Sequence, residues 1–166
     1  MKKMIKSLAV FSLVVLTCAC VNRDDNRKII EAREIHVAMM QRYDSLQSAL
    51  SKEEGKLKDL LNQESNADKR SVYESMSRSI DRSKDLLYTW EESVIGVPGL
   101  PPMDHKHHNH DGEHKHDHGQ KDEVLKTLSD DEILSFQNAY ATKLNELTEK
   151  VNELLTTMEM HEYYGK

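Results

Sequence analysis

Three long stretches of this chain place an apolar residue every three or four positions, with charged and amide side chains between. In the first, Ile29, Ala32, His36, Met39, Tyr43, Leu46, Leu50, Leu57 and Leu60 keep that alternation from Asp24 to about Gln63. A 3–4 repeat puts its members on one stripe of an α-helix, and such a stripe is buried by packing on another helix. Glu53 interrupts the run and Gly55 weakens the helix by about 1 kcal/mol relative to Ala, while Ser51-x-x-Glu54 reads as a point where a helix can restart. Ser65-Asn66-Ala67-Asp68 reads as a turn. The second seam is Tyr73, Met76, Ile80, Ser83, Leu87, Trp90 and Val94; Gly96, Pro98, Gly99, Pro101 and Pro102 then forbid helix.

The third stretch opens on the capping box Ser129-Asp130-Asp131-Glu132, with Leu128 and Ile133 placed as a hydrophobic staple. Its seam is read as Ile133, Phe136, Tyr140, Leu144, Leu147, Val151, Leu154 and Met158, ending near His161. The fold class expected is all-α: an up-down-up three-helix bundle or an antiparallel coiled coil, with a long disordered His-rich loop between helices 2 and 3. A long coiled-coil homodimer uses the same pattern, but three separate seams call for three neighbours. Composition agrees, since 6 Gly and 3 Pro in 166 residues are too few for a turn-rich β-sandwich. A net charge of −6 argues against nucleic-acid binding, which favours a basic stripe.

The first residues read as an address. Lys2, Lys3 and Lys6 precede the apolar run Leu8 to Leu16, which has the length of a secretory signal and not that of a membrane span. The run ends Leu16-Thr17-Cys18-Ala19-Cys20, similar to a bacterial lipobox, in which small residues precede a Cys that is diacylated and becomes the new N-terminus. Cys20, preceded by Ala19, fits better than Cys18; Thr17 stands where a Leu is usual. Two or three acyl chains make a firm membrane anchor. Cleavage before Cys20 would leave 147 residues, a charge of −9 and no free thiol. The expected location is the bacterial cell envelope, lipid-anchored to the outer membrane on its periplasmic or surface face.

Ile35-His36-Val37-Ala38-Met39-Met40, with Leu86-Leu87-Tyr88-Thr89-Trp90 downstream, resembles a group of small helical Bacteroidota lipoproteins often labelled "viral A-type inclusion protein". In that group an Ile-His pair with a Met soon after lies in the first helix, and a Trp closes the second. The resemblance covers roughly residues 29–94 and more loosely 129–158. It implies a helical fold and an envelope location, and no chemistry. Asp24 and Asp25 are similar to the acidic tether of surface-exported members of that phylum.

One segment departs from that pattern. His105, His107, His108, His110, His114, His116 and His118 are seven of the nine histidines of the chain, interleaved with Asp104, Asp111, Glu113 and Asp117. Neutral imidazole is the commonest metal ligand and suits Zn, Cu and Ni. His-x-His places two rings on one side of an extended chain; His110/His114 and His114/His118 share a face if the segment turns helical. Many overlapping sets of three or four donors are therefore available and none is singled out. Ordering the tract costs about 1–2 kcal/mol per fixed residue, so loose, high-capacity binding of Zn, Cu or Ni is expected. A pH-sensing loop and a polar linker are the other readings of the same residues.

Elsewhere, His36 with Met39 and Met40, and Met158, Met160 and His161, are soft donors that read more simply as core and helix end. Trp90 reads as a core plug. No nucleophile elbow, phosphate loop or His-Glu-x-x-His occurs, so no enzymatic activity and no organic cofactor are expected. The organisation expected is residues 1–19 signal peptide, 20–27 lipidated tether, 28–96 helical hairpin, 97–127 Pro/Gly- and His-rich loop, and 128–166 helix 3. The functional expectation is a lipoprotein that buffers or delivers a divalent transition metal. The alternative is a structural or interaction lipoprotein that docks an envelope protein.

Overall fold

The computed structural model describes the backbone of residues 2–101 and 123–164 and the side chains of residues 27–101 and 123–161. It is helical in the way the seams require: α1 (Lys2–Gln63), α2 (Ala67–Ser93) and α3 (Asp130–Tyr164), with no strand among the described residues. Helix α1 runs through Gly55 without a break and extends back to Lys2, so the backbone of the expected tether is helical too.

The α1–α2 turn is shorter than the sequence suggests. Asn66 is the N-cap of α2, its side-chain oxygen accepting from the backbone N–H of Asp68 (2.9 Å) and Lys69 (3.1 Å). Those are two of the donors that a helix start leaves without a partner. The Arg70 guanidinium donates to the Leu61 carbonyl (3.1 Å), satisfying the end of α1. At the start of α3 the capping box forms as read. Ser129 N–H donates to Glu132 Oε2 (2.8 Å) and Glu132 N–H lies 3.4 Å from Ser129 Oγ. The Ser129 N–H, together with the Ser129 hydroxyl that donates to the same Oε2 (2.7 Å), holds the Glu132 carboxyl below the usual carboxylate range.

The chain divides into two compact units, Met1–Glu34 with Ile95–Phe136, and Ile35–Val94 with Gln137–Lys166. In the second unit, Met39, Tyr43, Leu46, Leu50 and Leu57 of α1, Ile80, Leu87 and Trp90 of α2, and Leu144, Leu147, Val151 and Met158 of α3 are buried. Tyr43 bonds to Glu91, and Glu54 pairs with Lys84, so α2 runs antiparallel to α1. His36 bonds to Gln137, and Arg42 to Asn145, so α3 runs parallel to α1. That is the up-down-up bundle.

One seam residue is corrected. Phe136 is 41% exposed, and it is Gln137, fully buried, that takes the place assigned to it. With Gln137, the inward positions of α3 are 133, 137, 140, 144, 147, 151, 154 and 158, a regular alternation of four and three.

Candidate functional site

The predicted metal ligands His105, His107, His108, His110, His114, His116 and His118 lie outside the described residues. Cys20 lies on the α1 backbone, with its side chain outside them. What the structure does describe is the ground on which the tract's two ends stand, and the polar groups within the bundle.

Both flanks of the tract pack into one place. In the first unit Ala32 of α1, Val97 of the linker and Ile133 of α3 form a buried apolar cluster, and Leu100, Leu125 and Leu128 pack against it. Leu100 stands just before the tract and Leu125 just after it. The leading flank is a turn closed by Leu100 N–H to Val97 O (3.1 Å). Pro98 and Gly99 are its central residues, and Gly99 has φ +82°. Pro followed by a left-handed Gly is the pattern of a type II turn. Arg33 Nε donates to the Pro98 carbonyl (2.6 Å), and its guanidinium fills the space that a Cβ on Gly99 would need. The trailing flank is the single helical turn 123–125, closed by Thr127 N–H and Oγ1 to Val124 O at 2.9 and 2.7 Å. Lys28 pairs with Asp131 at 2.7 Å, tying α1 to the start of α3 in the same unit. Val97, Leu100 and Leu125, at the two ends of the linker, therefore belong to a core.

The second unit holds a set of buried polar groups. His36 Nδ1 lies 3.0 Å from Gln137 Oε1, with His36 at 4% exposure. The amide oxygen accepts, so Nδ1 carries the proton. Burial lowers the His36 pKa from 6.5 and the bond to Gln137 opposes that shift in part. Tyr43 donates to Glu91 Oε2 (2.5 Å), accepts from Gln47 Nε2 (3.1 Å) and stacks on Trp90 with ring centroids 5.7 Å apart. Burial first, and then the Glu91 carboxylate, push the Tyr43 phenol upward and keep it a neutral donor. Trp90 Nε1–H donates to the Tyr140 carbonyl of α3 (3.1 Å).

No described side chain with a buried polar N or O atom lacks a hydrogen bond. That arrangement aligns helices. Among the described residues no three His, Cys, Asp or Glu side chains gather as a metal site. His36 is engaged by Gln137. At the C-terminal end Met158 is buried in the seam while Met160 and His161 are exposed. Trp90 is a core residue, as its place in the seam suggests. Gln137 and Arg33 are the positions that sequence reasoning missed. The signal for Gln137 was its spacing, four residues after Ile133 and seven before Leu144; Arg33 offered none.

Comparison with family models, with curated proteins and with solved structures gave no match.

Proposed function

We propose that this chain is an envelope lipoprotein, anchored through Cys20, whose helical bundle presents a His-rich tract that binds Zn(II), Cu(II) or Ni(II) for buffering or delivery. The observation that carries this reading is the density of donors, seven imidazoles within residues 105–118. The apolar cluster that takes both flanks supports it. A closed loop has already met the entropy cost of bringing its ends together. With the flanks held together, part of the ordering cost of gathering ligands falls on the fold.

The donor set fits borderline metals: His105, His107, His108, His110, His114, His116 and His118 supply nitrogen, and Asp104, Asp111, Glu113 and Asp117 supply oxygen. A bound ion would contribute positive charge and cross-linking of the tract. The intrinsic order of affinity places Cu(II) above Ni(II) and Zn(II), and supply in the envelope selects among them. Among the described residues no helix is long and apolar enough to cross a membrane; the acyl chains on Cys20 are the attachment in this reading.

Equilibrium dialysis against Zn(II) and Cu(II) compares the full chain with a variant in which the seven tract histidines are replaced by Asn. That variant keeps the loop length. The wild type is expected to bind several ions and to release them as pH falls through about 6.5, where imidazoles take up protons. Equal uptake by the two proteins would overturn the proposal, leaving a lipoprotein that acts through its helical surfaces.

A further inference from the structure

The pair His36–Gln137 is out of place in a seam that is otherwise apolar. Ala32, Met39, Tyr43, Leu46 and Leu50 flank His36 along α1; Ile133, Leu144, Leu147 and Val151 flank Gln137 along α3. Both side chains sit at heptad positions, both are buried, and they meet at 3.0 Å. A seam of Leu, Val, Ile and Met reads nearly the same after a shift of seven residues, so apolar packing alone specifies its register weakly. A buried polar pair specifies it well, because a slipped partner leaves both groups without their hydrogen bond. Sliding α3 by one heptad would set His36 against Leu144 or Asp130 and Gln137 against Ile29 or Tyr43.

We propose that His36 and Gln137 form an acid-sensitive latch that holds α3 in register on α1. With a neutral ring, Nδ1–H donates to the amide oxygen and the seam is satisfied. A proton on Nε2 leaves that bond intact but puts a full charge into an apolar seam, where a buried charge is stable only when paired.

Among the described residues, the positions one turn from the ring and its partner offer no carboxylate to pair with it. One turn away on α1 lie Ala32, Arg33, Met39 and Met40, and Arg33 is a cation that donates to the Pro98 carbonyl. One turn from Gln137 on α3 lie Ile133, Leu134, Tyr140 and Ala141, all uncharged. At the C-terminal end of α2, Trp90 and Val94 are buried, Glu91 accepts from the Tyr43 hydroxyl and Glu92 is exposed. No described carboxylate bonds to His36, and burial is the larger influence on its proton affinity, lowering it.

The sign follows. A solvated His in the unfolded chain takes up a proton near pH 6.5, whereas folded His36 resists until a lower pH. The latch is therefore fully engaged above about 6.5 and loses stability as pH falls from there through the folded value. The tract histidines, if solvated in both states, contribute equally to each and cancel.

The test compares the full chain, kept metal-free with chelator, with the double variant His36→Leu/Gln137→Leu. Between pH 7.5 and 5, the wild-type melting midpoint should fall by about 2–8 °C more than that of the double variant. Equal falls would overturn the proposal. Ring NMR of wild-type His36 supplies an independent reading should the double variant fail to fold. The His36 ring should take up its proton at a lower pH than a free histidine does; titration near 6.5 would also overturn the proposal.

Discussion

Two glycines of this chain differ in what surrounds them, and their substitution should change stability in opposite directions. Gly55 lies inside α1, exposed, with nothing within 4 Å of where a Cβ would stand. Gly55→Ala removes backbone freedom from the unfolded chain and meets no obstacle, so it should stabilise the protein by about 0.8–1 kcal/mol. Gly99 has φ +82° and the Arg33 guanidinium in its Cβ space. Gly99→Ala should destabilise by about 1–2 kcal/mol for the left-handed backbone, with the displacement of Arg33 adding to it. Urea unfolding of both variants at one pH measures the pair. The Arg33→Ala background separates the contributions at Gly99, because it removes the clash and leaves the backbone strain. A neutral Gly99→Ala would mean that the turn before the tract is not held in the form described.

At the level of the helix, ends matter as much as faces. Asn66 satisfies two orphan N–H groups of α2, so Asn66→Ala should cost about 1 kcal/mol and Asn66→Gly only a few tenths. Denaturant midpoints of the two variants test this, and an equal loss for both would point to some other role for Asn66. The three helices themselves were legible because a 3–4 apolar period is a local signal, and α1 shows it best: every seam position read from Ile29 to Leu60 is buried or half-buried. The capping box before α3 was legible for the same reason, its partners lying within four residues. Phe136 is misleading because the apolar period marks only apolar side chains, and at that turn the inward side chain is an amide. The imidazole that bonds to that amide faces it from α1, 101 residues away. The clamp of Arg33 on Pro98 spans 65 residues and was invisible for that reason. The metal tract is the reverse case, in which composition displays the donors and no pattern says which of them act together.

For the whole chain, the two units have unequal means of holding themselves together. The second buries residues from all three helices along a seam that includes Leu50, Ile80, Leu87, Leu144 and Val151, all nearly inaccessible to water. The first rests on Ala32, Val97 and Ile133 with a half-buried fringe. Each fully buried aliphatic side chain contributes about 1.5–3 kcal/mol, so the smaller cluster should open at lower free energy than the bundle seam. Proteins do open in such local cooperative pieces. Native-state hydrogen exchange should therefore show the amides of Leu134, Ser135 and Phe136 exchanging through a partial opening, while those of Leu46, Leu50, Leu87 and Leu147 require global unfolding. Ile133→Ala should lower protection in the first set by about 2–5 kcal/mol and leave the second set's ranking unchanged. This bears on the tract, whose two flanks both pack on that smaller cluster. If the first unit opens alone, the tract's ends separate while the bundle stays folded, and ligand gathering can be lost without unfolding the protein. If instead both sets of amides exchange with one free energy, the chain unfolds as a single piece and the anchoring of the tract is as stable as the fold itself.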